Sequence, residues 1–153
     1  MPTPEQRLAE LGLELPAVVA PLAAYVPAVR SGSHVFTSGQ LPKVGDRLHA
    51  VGKVGAEVDA ETAQTAARYC ALNALAAVCS VTGDLSAVTR VVKVVGYVAS
   101  APGFTDQPAV VNGASELLLQ VFGDAGAHAR SAVGVAALPL DVPVEVELVV
   151  EVG

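Results

Sequence analysis

The sequence predicts an α+β fold, in the order β-β-α-β-α-β-β, with both helices on one face of a single sheet. Three observations carry that prediction. Residues Val88 to Ala99 (VTRVVKVVGYVA) form a β-branched run too continuous for a strand with one wet face, which marks a central strand covered on both sides. Two stretches, from Asp59 to Gly83 and from Thr105 to Phe122, carry apolar residues at helical spacing. The final segment, Val144 to Val152, alternates cleanly: Glu145, Glu147 and Glu151 share one face, and Val144, Val146, Leu148, Val150 and Val152 share the other.

Taken in order, Pro4 to Leu11 (PEQRLAEL) reads as a short helix with Pro in its first turn, and Pro16, Pro21 and Pro27 make the following stretch an extended approach. A hairpin spans Val26 to Gln40, turning at Ser31-Gly32-Ser33 into a strand from His34 to Gly39. Lys43 to Val58 is a loop rich in Gly and charge. Asp59 caps the first long helix, which Gly83 stops. Its apolar side is small, built from Ala63, Ala66, Ala67, Cys70, Ala71, Ala74, Ala77 and Val78, so it can lie close on a sheet. After Pro102 and Gly103 end the central strand, Thr105 or Asp106 opens a second helix over Gln107 to Phe122, which terminates in Gly123 to Gly126. Strands at Arg130 to Leu138 and Val144 to Val152 complete the chain. With both helices on one face, nothing in the chain covers the other face, and oligomerisation through it would supply the missing layer.

Composition points the same way. Roughly 59% of the residues are apolar when Gly is counted with them, against a usual ~45–50%, and 16% are charged against ~25%. A chain of 153 residues without linker or repeat reads as one domain, 1–153, and such a domain buries only about 70% of its unfolded surface. So much aliphatic surface predicts an obligate oligomer. A mean hydropathy of +0.52 excludes disorder. The longest uncharged stretches, Leu15 to Val29 and Tyr69 to Gly83, have 15 residues each, short of the ~20 a membrane span needs. The net charge of −6 and pI near 4.9 make nucleic acid a poor partner. Met1-Pro2-Thr3-Pro4-Glu5-Gln6-Arg7 has neither a basic nor an apolar leader segment, so a cytoplasmic location is expected.

His34, His49 and His128 sit at no ligand spacing, and no clustered carboxylate or C-x-x-C motif occurs, so neither metal nor cofactor is expected. Cys70 and Cys79 leave opposite sides of one helix and read as buried, unreactive thiols. Ser38 lies in Ser-Gly-Gln rather than in a nucleophile elbow. Arg130 is different. It opens a strand whose same-face neighbours are Ala132, Gly134 and Ala136, so its fork of donors could project into a cavity and clamp a carboxylate. Alternatively a helix fills that space and Arg130 pairs with a structural acid.

Three blocks together, Val35-Phe36-Thr37-Ser38-Gly39-Gln40-Leu41-Pro42, Val111-Asn112 through Phe122, and Ala129-Arg130-Ser131 with Leu138-Pro139 and Val144-Glu145-Val146-Glu147, resemble the reactive intermediate deaminase family, also called RidA or YjgF. The resemblance covers roughly Tyr25 to Val152. It implies a chorismate-mutase-like fold and a homotrimer with sites in the clefts between subunits. It further implies that Arg130 holds a substrate carboxylate and that Tyr25, Ser38 and Asn112 bind substrate. Glu145 would shuttle a proton or orient a water. Each residue also has a plainer reading: Tyr25 as an interface aromatic, Ser38 as a hydroxyl bonded to backbone, Asn112 as a helix hydrogen-bonder, Glu145 as one of three solvated glutamates.

Relative to that family, residues 1–22 are an N-terminal extension and the Lys43 to Val58 loop is long, marking a divergent subgroup. His128 stands where typical members have Pro or a small residue, and Ala132 where many have Cys. The implied activity is hydrolysis of 2-imino or 2-enamino acids to 2-keto acids and ammonia, without metal or cofactor. A non-catalytic trimer that binds a small carboxylate is the alternative, and an endoribonuclease a weaker one.

Overall fold

The computed structural model describes residues 1–21 and 23–153. In chain order its elements are α1 (Pro4–Glu10), β1 (Ala28–Ser31), β2 (His34–Thr37), β3 (Lys43–Val44), β4 (Arg47–Leu48), α2 (Ala60–Thr82), β5 (Val88–Ala99), α3 (Gln107–Phe122), β6 (Ala129–Val135) and β7 (Val144–Val152). Five strands form one mixed sheet in the order β1-β2-β7-β5-β6, with β5 and β6 parallel and the other pairs antiparallel. The last strand of the chain therefore sits at the centre of the sheet.

The alternation of β7 decides which face is covered. Val144, Val146, Leu148, Val150 and Val152 are buried beneath the helices, and Glu145, Glu147 and Glu151 point to the opposite face. Asp59 caps α2 by accepting the Thr62 amide at 2.7 Å, and all eight small residues of the predicted apolar side are buried. The helices touch backbone to backbone at Gly113, where a Cβ would lie 1.9 Å from the Gln64 carbonyl oxygen. Only glycine fits there.

Three features differ from the sequence reading. The Lys43 to Val58 segment holds a small hairpin, β3 with β4, turned at Gly45 with φ 62°. β6 stops at Val135 rather than Leu138, because its partner β5 ends at Ala99, opposite Val135, and residues 136–138 have no strand to pair with. Most informative is β5, which the helices cover on one face only. Its register against β7 slips between Val88 and Arg90 and again between Val91 and Lys93. These bulges turn the alternation of two into steps of three, so that Val88, Val91 and Val94 all reach the core. Within one chain the unbroken apolar run thus encodes two bulges, with a single face covered by helices.

On the open face Val29, Phe36 and Val133 are exposed, beside half-buried Val95 and Tyr97. At the back of the molecule, Leu8 of α1 is buried and Glu5 accepts the Leu85 amide at 2.8 Å, which docks the amino-terminal helix onto the domain. Cys70 is buried, and burial pushes its thiol well up; Cys79, on the opposite side of the helix, is only half-buried, its thiol raised to about 11. Neither is a poised nucleophile. Among the described residues no helix is long and apolar enough to cross a membrane.

Candidate active site

The parallel register sets Arg130 beside Val94, whose side chain lies in the core, so Arg130 rises on the helix-covered side at the sheet edge. There it meets α3. Its Nη1 donates to Asn112 Oδ1 at 2.7 Å and to Ser115 Oγ at 3.2 Å, and its Nη2 donates to the Pro108 carbonyl at 3.4 Å. All three acceptors are neutral. Among the described residues no carboxylate hydrogen-bonds to Arg130, and its Nε–H and one Nη2–H make no hydrogen bond. The cleared stripe beyond it is partly occupied: at Gly134 an added Cβ would lie 2.8 Å from Gln107 Nε2 and 3.0 Å from Ser100 Oγ.

Glu145 is built differently. β2 leaves the β7 ladder after Phe36–Val149, the Thr37 hydroxyl takes over by accepting the Leu148 amide at 3.0 Å, and backbone pairing resumes at Gln40–Val146. Ser38 and Gly39 bow away between those anchors. The Glu145 carboxylate lies over Gly39, so close that a Cβ there would stand 2.1 Å from Oε2. Tyr25, Ser38, Gly39, Leu41, Pro139 and Glu145 line one open concavity. Ser38 donates its hydroxyl to the Val26 carbonyl at 2.6 Å and its amide to the Pro27 carbonyl at 2.8 Å, which straps the Tyr25 segment beside it. Its oxygen remains available as an acceptor.

Burial, and then the charge of Glu147, raise the Glu145 carboxyl above its ordinary value. Glu147 accepts a hydrogen bond from Tyr97 Oη at 2.5 Å, and the phenol is pushed up to about 12, chiefly by that bond. A carboxyl raised above its ordinary value is better suited to carry a proton.

The five sequence-predicted residues therefore fall into two groups. Tyr25, Ser38 and Glu145 converge on one concavity; Asn112 and Arg130 converge on α3. The groups do not meet within one chain, because β5 separates β6 from β7 by about 9.5 Å and the two side chains leave opposite faces of the sheet. Ser115 and Gly39 were not singled out in the sequence. Ser115 could have been, since it lies three residues after Asn112 and so on the same helix face. Among the described residues no three His, Cys, Asp or Glu side chains group as a metal site would.

A mixed sheet with two helices on one face places the chain among small α+β proteins. Residues 5–152 match the family described as "YjgF/chorismate_mutase-like, putative endoribonuclease", and the chain belongs to that family. It is 47% identical over 147 residues to Protein TCP17 of Trypanosoma cruzi, covering 95% of this chain and 92% of that protein. The crystal structure of Atu1372 from Agrobacterium tumefaciens, a protein with unknown function, superposes with a TM-score of 0.91 at 46% identity, over 99% of this chain and 94% of the other. Escherichia coli TdcF, solved with bound serine, superposes at 0.60 and 29% identity, over 90% and 93%.

Proposed function

We propose that this protein hydrolyses 2-imino or 2-enamino acids to 2-keto acids and ammonia, as a homotrimer whose sites form where the Arg130 group of one chain meets the Glu145 group of the next. The observation that carries the reading is the Arg130 guanidinium, held by three neutral acceptors with two donors unused. Among the described residues no anion pairs with this cation, and a carboxylate is the ligand that fits its fork. The serine bound to the TdcF relative is an amino acid carboxylate of the same kind.

The chemistry asks little of the protein. A protonated imine carbon is already electrophilic: water adds to it, the carbinolamine C–N bond breaks, and ammonia leaves as the carbonyl forms. Glu145 accepts a proton from the attacking water and returns one to the departing nitrogen. Arg130 and Asn112 fix the carboxylate end, while Tyr25 and Ser38 bound the other side of the cleft. The protein's net charge of −6 disfavours RNA as the substrate.

The test generates an imino acid in situ with an amino acid oxidase and follows keto acid formation with and without this protein. Acceleration that disappears in Glu145→Gln supports the deaminase. Carboxylate binding without acceleration would overturn it in favour of a non-catalytic carboxylate-binding trimer.

A further inference from the structure

We propose that His128, acting through the Ser115 hydroxyl, is a positioning residue that aims Arg130 at its ligand; this rests on the reading of Arg130 as the carboxylate clamp. His128 follows α3 and precedes β6, and its ring bridges the two. Nδ1 lies 2.6 Å from the Gly126 carbonyl oxygen and Nε2 lies 2.9 Å from Ser115 Oγ. Ser115 Oγ in turn accepts from Arg130 Nη1 at 3.2 Å.

Two hydrogens of this chain are fixed by its ends. A guanidinium can only donate, and a carbonyl can only accept. Nδ1 therefore carries the proton given to Gly126. With Nε2 unprotonated, as the proposal takes it, Ser115 donates its own hydrogen to it and a Ser115 lone pair is turned toward Arg130. The relay runs Arg130 to Ser115 to His128 to Gly126 without a donor facing a donor.

Without the imidazole, the hydroxyl would be free to rotate or to turn back to its own helix, as mid-helix serines commonly do. Its lone pairs would then no longer be held in one direction toward the Nη1 donor. With the imidazole, both Nη1 hydrogens have fixed acceptors, Asn112 Oδ1 and Ser115 Oγ, so the plane of the guanidinium is set before a ligand arrives. The gain lies in side-chain entropy: an arginine fork already locked loses less rotamer freedom on binding. Ser115 is buried, which keeps water from substituting for the ring nitrogen.

The test uses the full-length protein, with 2-ketobutyrate as the calorimetric probe and keto acid formation as the kinetic one. His128→Leu should weaken the probe about tenfold and raise KM with kcat little changed. His128→Gln, whose amide oxygen can stand where Nε2 stands, should bind within about threefold of wild type, and nitrogen-correlated NMR of the wild type should show a neutral ring protonated at Nδ1. Should His128→Leu fail to fold, Ser115→Ala removes the same link from the helix side and should reproduce the loss. Equal binding by His128→Leu and wild type, equal impairment of the Leu and Gln variants, or an Nε2-protonated ring would overturn the relay while leaving the Arg130 clamp intact. Arg130→Lys separates the two ideas, for if it binds the probe as wild type does, clamp and relay fail together.

Discussion

The Glu145 carboxylate rests on a glycine, and that contact gives a sharp test of whether its position matters. In Gly39→Ala the new methyl would stand 2.1 Å from Glu145 Oε2, 2.8 Å from its carboxyl carbon and 3.1 Å from Cγ. Bringing the nearest of these to an ordinary contact moves the carboxylate by roughly 1 Å, a displacement that can cost ~10²-fold in rate when it befalls a reacting group. The effect on stability should be small. The clash meets the far end of a flexible side chain, an off-rotamer glutamate costs about 0.5–1.5 kcal/mol, and replacing glycine at a position without positive φ returns ~0.4–1 kcal/mol through the unfolded chain. Melting should shift by no more than about 5 °C. The assay compares kcat for keto acid formation, calorimetric affinity for 2-ketobutyrate and the thermal midpoint. A ~10²-fold fall in kcat with affinity and melting preserved is expected. Wild-type kcat would show that the seat of Glu145 over Gly39 has no part in the chemistry, and an unfolded variant would show that the contact is not confined to a movable carboxylate.

Glu145→Gln should lower kcat by roughly 10²-fold while retaining carboxylate binding. Because the Glu145 pKa is raised on folding, its contribution to stability is present below the unfolded carboxyl value and lost as pH rises through the folded one, so the same variant should melt higher than wild type at pH 7.5 and not at pH 4. Glu147→Gln removes the neighbouring charge that holds Glu145 up, and the pH–rate limb reporting Glu145 should move to lower pH; Glu151→Gln, farther along the strand, should leave it in place. Arg130→Lys keeps the charge but loses one of two parallel hydrogen bonds, and at about 1.5–3 kcal/mol for a charge-assisted bond the Kd for 2-ketobutyrate should rise ~10–10²-fold.

Where one physical cause acts alone, the sequence is legible. The period of two in Val144 to Val152 reports a sheet with one covered face, and the small residues of α2 report close packing; both are found as read. In β5 two causes overlap. Hydrophobicity there reports burial, but two bulges change which residues face the core, and a bulge leaves no mark in composition. The hairpin of β3 and β4 escapes notice because strands of two residues are too short to show a period. At the site, Arg130 stands out because its face is stripped of bulk. Glu145 has two look-alikes on its own strand, and only the bow at Ser38-Gly39, set by where β2 leaves the ladder, distinguishes it. The relay through His128 depends on a hydroxyl and a ring meeting across a turn, which spacing in the chain does not announce.

Register parity carries the last consequence. Arg130 pairs with Val94 and Glu145 with Tyr97, positions on opposite faces of β5, so the two side chains cannot act on one small substrate held by one chain. If both act, they come from different chains. Mixing two impaired variants, assayed at substrate below KM, then tests the geometry directly. In a homotrimer with one site at each of three equivalent interfaces, a working site in a mixture of Arg130→Lys and Glu145→Gln needs its arginine from the second variant and its glutamate from the first. For equal amounts refolded together each requirement is met half the time, so about a quarter of the sites, and about a quarter of wild-type activity, should return. Separately refolded variants, mixed afterwards without exchange, should show no gain. A site complete within one chain would give no recovery in either mixture, because every chain would still lack one of its two groups.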